Sequence, residues 1–255
     1  MGLSRVVLKK SVLKETHTPE AISKRLGGGP SQIYLKDMVY GGIDGAITTF
    51  AVVSGVAGAG LSSGVVIILG LANLFADGFS MAVSNYMGSR SENQYRAAMR
   101  EYEAEEIEVY PEGEREEIRQ IYETKGFSGE ELEKLVDLIT SNRALWVNTM
   151  LQEEHGLAVE DSNPVLAGAA TFIAFFLAGA LPLVSFLVNW LRPGTFESPF
   201  IVSASVTMLA FLSIGFFKGR YVNQRWYVSA LETALIGSIA AGLAYGVGYL
   251  LNGLV

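Results

Sequence analysis

Five long apolar runs, separated by short polar connections and one large polar block, set the pattern of this chain. They cover Met38–Gly58, Leu61–Gly88, Pro164–Leu191, Ser198–Phe217 and Trp226–Val255. Each can form a helix that crosses a bilayer, for which about 20 residues suffice. The block between the second and third runs, from about Ser89 to Asn163, reads as a set of shorter polar helices. The pattern therefore predicts an all-α membrane protein with five transmembrane helices and a helical domain inserted between helices 2 and 3. The chain divides accordingly into a tail (1–36), helices 1 and 2 (37–90), the inserted domain (91–161) and helices 3 to 5 (162–255). No signal peptide is visible, since the tail is polar and lacks a short apolar core.

Charge changes the picture inside the runs. Asp44 and Asp77 are the only charged residues of the first two; the third and fourth have none, and the fifth has only Glu232. A carboxylate in the middle of a membrane helix costs on the order of 2.5–3.5 kcal/mol on insertion scales. Two such groups are expected to handle a cation or a proton; a helix-packing hydrogen bond is the plainer alternative. Asn73, Asp77, Met81 and Ser84 share one face of helix 2 within about 80°. Asp37 and Asp44, seven apart, share a face of helix 1. If those faces meet, they form a polar path of carboxylates and a thioether through the bilayer. Glu232 is expected to pair with Arg220 or Arg225 near the end of helix 5, with a place in the path as the alternative.

Orientation follows from Lys and Arg near the span ends. The tail holds Lys9, Lys10, Lys14, Lys24, Arg25 and Lys36; the connection between helices 4 and 5 holds Lys218, Arg220 and Arg225; the inserted block begins with Arg90, Arg96 and Arg100. The opposite side carries only Arg192. The N-terminus and the inserted domain are expected in the cytoplasm, and the C-terminus outside or in a lumen. Tyr34, Tyr40, Trp190, Trp226 and Tyr227 lie near span ends, as interfacial aromatics do.

The inserted domain is strongly acidic: residues 92–161 hold 19 Asp or Glu against 7 Lys or Arg, in a chain of net charge −7. Such a domain raises the local concentration of cations, although charge runs also form ordinary solvated faces. Spacing sharpens the reading. Helix 2 is expected to run on through Glu108 until Pro111 breaks it. A second helix covers Gly113–Lys125, a Ser128/Glu131 capping box opens a third, and Arg143–Glu154 forms a fourth, stopped by Gly156. Glu103 and Glu106 are three apart on one helix, Glu114 and Glu117 repeat that spacing on the next, and Met150 and Glu154 are four apart on the last. Packed together, these helices can converge four to five carboxylates and a thioether. Oxygen ligands alone suit Mg²⁺, Ca²⁺ or Mn²⁺; the soft sulfur tilts the set towards a later transition metal such as Fe²⁺. Met150 alone is more simply a core residue, and His155, beside Glu154, is expected to complement the helix dipole rather than ligate. His17 lies in the tail without distinguishing context.

Composition narrows the classes. Half of the residues are hydrophobic and mean hydropathy is +0.31. There is no cysteine, so disulfides and thiolate metal sites are excluded. No prosthetic group and no nucleic-acid partner is expected, and no enzyme activity.

Several segments together resemble the vacuolar iron transporter family over roughly six-sevenths of the chain, from about Asp37 onward. Asp37-Met-Val-Tyr-Gly-Gly-Ile-Asp44-Gly resembles its first-helix motif and Ser80-Met81-Ala its second. Trp146-x-x-x-Met150-x-x-x-Glu154-x-Gly156-Leu resembles the end of its metal-binding domain, and Leu231-Glu232-Thr-Ala-Leu-Ile-Gly237 its last-helix motif. The resemblance implies a homodimer in the lipid bilayer, with a translocation path at the dimer interface. It implies proton-coupled export of Fe²⁺ from the cytosol, with Mn²⁺ and other divalent ions as further substrates. Asp44 and Met81 match the family's path residues; Glu103, Glu106, Glu114, Glu117, Met150 and Glu154 match its metal ligands. One position departs: where plant-like members carry Glu, this chain has Asn73, with Asp77 one turn further on. The membrane would be vacuolar in a eukaryote and the plasma membrane in a prokaryote.

Two rival classes fit less well. A ferritin-like di-metal oxidase needs Glu-x-x-His pairs, which are absent. A calcium-binding EF-hand needs an Asp-x-Asp-x-Asp-Gly loop, also absent. A metal-sensing or metal-buffering membrane protein without transport activity stays as the alternative function.

Overall fold

The computed structural model describes residues 10–27 and 33–254, so Lys9 and Val255 lie outside the described residues, as do the side chains of Lys10, Lys24 and Arg25. No strand occurs among the described residues. Two short helices, α1 (Lys10–Thr16) and α2 (Pro19–Gly27), lie in the tail. They precede α3 (Ile33–Gly58), α4 (Ser63–Val109), α5 (Pro111–Thr124), α6 (Gly129–Thr140), α7 (Arg143–Glu153), α8 (Pro164–Ala180), α9 (Val184–Leu191), α10 (Pro199–Tyr221) and α11 (Trp226–Leu251). Five helical stretches are long and apolar enough to cross a membrane: Tyr34–Gly58, one within Ser63–Val109, Pro164–Leu191, Pro199–Tyr221 and Trp226–Leu251.

The chain forms two compact units, Met1–Tyr86 with Val165–Val255, and Met87–Pro164. In the first, α3 packs on α11 and α10, and α10 on α11. Phe50, Val53, Phe175, Leu183 and Phe211 fill its core, with Phe50 and Phe211 edge to face at 6.4 Å. Large apolar side chains such as Ile68, Phe79, Leu177, Leu209, Leu243 and Leu250 are exposed. In water they would be a liability; against lipid tails they cost nothing, and helix association falls to close packing and small residues.

That packing is tight at particular glycines. A Cβ at Gly248 of α11 would run into the Gly55 carbonyl of α3 and come within 2.9 Å of the Ala59 nitrogen, and one at Gly179 of α8 would lie 2.7 Å from the Gly45 carbonyl. The third span is not α-helical throughout. Pro182 cannot donate a backbone hydrogen bond, and residues Leu181–Leu183 form a 3-10 turn between α8 and α9. The Ser203 hydroxyl of α10 donates to the Pro182 carbonyl at 2.6 Å, which supplies a partner where water is scarce.

The second unit is built on α4 from Met87, α5, α6 and α7. Pro111 opens α5 at the position where its missing N–H is least needed. Asn142 caps α7 by accepting from the Leu145 N–H at 3.1 Å. Ser128 stands at the N-cap of α6 but makes no side-chain capping bond, so the anticipated capping box does not form. The apolar faces bury Ile118, Val136, Met150 and Leu151 completely. On the outside, Arg119 bonds Glu133 at 2.8 Å, Arg143 bonds Glu108 at 2.5 Å, and Arg115 and Lys125 pair with Asp137 and Glu153. Arg96 holds Asp161 at 2.8 Å, tying the segment after α7 back to α4.

Substituting Gly248 with Val is expected to lower the thermal midpoint of the detergent-solubilised protein by about 3–10 °C, the range that overpacking of about 1–3 kcal/mol implies. Gly242→Val, where a Cβ meets nothing within 4 Å, should stay near wild type. Equal midpoints for the two variants would show that the α3–α11 seam tolerates separation.

Candidate metal centre

The second unit gathers its acidic side chains between three helices. Glu103 and Glu106 come from α4, Glu114 and Glu117 from α5, and Glu154 from the C-cap of α7. The i, i+3 spacing places each pair on one side of its helix; Glu103 and Glu114 are buried, Glu106 is half-buried and Glu117 is exposed. One carboxylate oxygen each of Glu103, Glu106 and Glu114 lies within 4.8 Å of the others; ligand atoms of Glu103, Glu154 and His155 do the same. Glu103 belongs to both groups. Glu117 joins neither, although the charges of Glu154, Glu103 and Glu106 all act on it. Met150, one turn before Glu154, is fully buried in the core of the unit. A cavity of about 360 Å³ borders the centre, lined in part by Tyr102, Tyr110, Glu106, Glu114 and Glu117.

Glu103 is completely buried and Glu114 nearly so, and Oε2 of each has no hydrogen-bond partner. A buried carboxylate oxygen without a donor costs free energy, and a divalent cation is the partner that would satisfy several such oxygens together. Among the described residues no Lys or Arg pairs with Glu103, Glu106, Glu114, Glu117 or Glu154; the basic side chains are engaged by the outer acids.

His155 was expected only to complement the helix dipole. Instead Nε2 lies 2.6 Å from Glu103 Oε1 and 4.0 Å from Glu154 Oε2. Gly156, at φ +65°, reverses the chain so that the Leu157 N–H reaches the Leu151 carbonyl at 2.8 Å, and Glu154 and His155 are held at this bend. Its adjacency to Glu154 was the one available signal; the contact with Glu103, 52 residues away, is tertiary.

Burial is the main force pushing the Glu103 carboxyl above the usual range, opposed by the His155 hydrogen bond. Glu114 is pushed up to about 7, by burial first and then by Glu117, Glu103 and Glu106. Burial likewise raises Glu117, and the hydrogen bond that the ring donates to Glu103 raises His155. The folded state therefore keeps a proton on Glu114 that the unfolded chain releases near 4.5. The Glu114 contribution to the stability of the metal-free unit is fully present below that pH and is lost as pH rises through about 7.

The expected path residues lie in the first unit. Asp37 Oδ1 accepts from Asn85 Nδ2 at 2.9 Å, and the same amide reaches the Thr171 hydroxyl of α8 at 2.7 Å; Asn85 is a partner of Asp37 that the spacing argument passed over. Asn73 Nδ2 bonds the hydroxyls of Thr48 and Thr49, both at 3.4 Å. The charge of Asp77 acts on Asp44. The polar faces of α3 and α4 thus meet within one chain. Met81 is half-buried and packs against the apolar core of this unit. Glu232 pairs with Lys218 at 3.4 Å, not with Arg220 or Arg225: Lys218 stands two residues before Arg220 on α10, within reach of α11.

The arrangement has relatives. The VIT family model matches residues 35–249. The chain is 35% identical over 246 residues to a vacuolar iron transporter of Toxoplasma gondii, covering 94% of this chain and 78% of that one. It is 34% identical to that of Plasmodium falciparum, covering 86% and 82%, and 32% identical to vacuolar iron transporter 1 of Arabidopsis thaliana, covering 83% of each.

Because ligation needs carboxylates without their protons, metal affinity should fall as pH drops through about 7, higher than ordinary carboxylates near ~4 would suggest. Calorimetric titration of the full chain with Co²⁺ is expected to show binding at least about tenfold weaker at pH 5.5 than at 7.5. Glu114→Gln should bind more weakly at pH 7.5 and show a flatter pH dependence. An unchanged slope in that variant would remove Glu114 from the ligand set.

Proposed function

The chain belongs to the VIT family, a family of transporters and not of enzymes, and from that premise we propose that it moves Fe²⁺, and other divalent transition metals such as Mn²⁺, out of the cytosol across a membrane. The observation that carries the reading is the pair of buried, partnerless carboxylate oxygens on Glu103 and Glu114, in a cluster to which no Lys or Arg is supplied. Glu103, Glu106, Glu114, Glu117, Met150 and Glu154 bind the metal in the acidic domain, on the cytoplasmic side with the N-terminus. The excess of Lys and Arg in the tail and in the α10–α11 connection supports that orientation.

Transport runs along the polar seam of α3 and α4, through Asp37, Asp44, Asn73, Asp77 and Met81. Asp44 and Asp77 repel one another when both are charged. A divalent cation or a pair of protons relieves that repulsion, so an exchange of the two is the coupling we infer: metal one way, protons the other. Asn73 takes no part in the charge exchange; bonded to Thr48 and Thr49, it holds α4 to α3. The protein works as a homodimer, as its resemblance to the family implies, and the α3–α4 seam of each copy lines a path at the interface of the two.

Flux of Fe²⁺ into sealed liposomes carrying the full chain, with metal and pH dyes inside, tests the reading. Metal entry should be accompanied by loss of luminal protons and should accelerate when the lumen is acidic. Asp44→Asn keeps the shape but not the charge, and a charged contact is worth about 1.5–3 kcal/mol, so flux should fall about ten- to a hundredfold with the protein still folded. Near-normal flux in that variant would exclude Asp44 from the path, and metal entry without proton movement would replace antiport by uniport. Absence of any flux would leave a metal-sensing or metal-buffering protein.

Met81→Leu keeps the volume and removes the sulfur. Fe²⁺ flux is expected to fall more than Mn²⁺ flux, because a thioether favours the later metal. Equal losses would assign Met81 to packing, which its contact with the apolar core already provides.

A further inference from the structure

His155 sits where a ligand would sit. Its Nε2 is 2.6 Å from Glu103 Oε1 and 4.0 Å from Glu154 Oε2, and the three groups fall within one 4.8 Å cluster. Two ligand atoms bound to one transition metal at about 2.0–2.2 Å stand roughly 3 Å apart, so the Glu103 contact must open by a few tenths of an ångström and the Glu154 contact close by about 1 Å. Glu103 is the second observation that points to an ion. Its side chain is 1% exposed, and its Oε2 has no partner, although the His155 ring lies beside its other oxygen. The hydrogen bond to His155 satisfies one oxygen of this carboxylate and leaves the other buried without a donor.

We propose that His155 is itself a metal ligand, forming with Glu103 and Glu154 a mixed nitrogen–oxygen subsite that favours later divalent transition metals over Mn²⁺. The inference rests on the acidic centre binding metal at all. An all-carboxylate set suits Mg²⁺, Ca²⁺ and Mn²⁺, whereas imidazole suits Fe²⁺, Co²⁺, Zn²⁺ and Cu²⁺. The subsite shares Glu103 with the Glu103–Glu106–Glu114 group, which offers oxygen alone. The domain therefore carries two neighbouring donor sets of different softness, and His155 is the difference between them.

The chain has two histidines, so a His17→Ala background leaves His155 as its sole imidazole. Full-length protein in detergent is titrated with Co²⁺ and with Mn²⁺, and pulsed electron paramagnetic resonance is recorded with one equivalent of Cu²⁺. Adding His155→Ala should weaken Co²⁺ binding at least about tenfold and Mn²⁺ binding by no more than about threefold, the difference expected of a first-coordination nitrogen. The imidazole nitrogen modulation of the Cu²⁺ signal should be present in the His17→Ala protein and vanish with His155. Glu103→Ala with Glu114→Ala serves as the control for the centre. If that double variant binds both ions as wild type does, the acidic centre fails and the inference with it. If it loses binding while His155→Ala weakens both ions equally and no nitrogen modulation is seen, the centre stands and His155 only orients Glu103.

Discussion

Repulsion between carboxylates that are kept from water and from counter-charges organises the acidic unit. Glu103 and Glu114 are pressed between α4 and α5 with oxygens that touch no donor, while Arg115, Arg119, Lys125 and Arg143 neutralise acids on the outer surface. A core of Ile118, Val136, Met150 and Leu151 supplies the apolar burial that holds the helices together against this repulsion. The basic residues are placed so as to stabilise the fold without quenching the cluster. A structural ion-pair network would have done the opposite.

The membrane unit meets a related problem by different means. With no water to solvate polar groups, α3 keeps Asp37, Thr48 and Thr49 bonded to Asn85 and Asn73 of α4. Close helix approach at Gly45 and Gly248 brings backbones together where the hydrophobic effect contributes little to association. Asp44 and Asp77 are left out of these hydrogen-bond pairs, and they are the groups whose charges act on one another.

Much of this was legible in the chain because the signals were local. Apolar runs marked the spans, and Pro111 and Gly156 marked helix limits of the acidic unit. Glutamates three apart announced which faces of α4 and α5 carry charge. What was not legible depended on tertiary placement. His155 lies just beyond a helix end, and only the turn at Gly156 brings it against Glu103. Glu232 faces Lys218 rather than the arginines nearer in sequence, because the crossing of α10 and α11, not chain distance, selects the neighbour. Ser128 had the spacing of a capping box, yet its hydroxyl makes no such bond. Asn85 carries no local signal, and its amide meets Asp37 and Thr171 only in the folded chain.

A cluster of mutually repelling acids also ties the survival of the domain to its cargo. Anything that binds the folded state alone stabilises it in proportion to the logarithm of its concentration above the dissociation constant. The metal-free form, strained by its own charge, opens more often, and proteases act on opened chains. With the metal binding proposed above, resistance of the acidic unit to digestion would read out free metal, and in a cell the lifetime of the whole polypeptide would lengthen when metal is abundant and shorten when it is scarce.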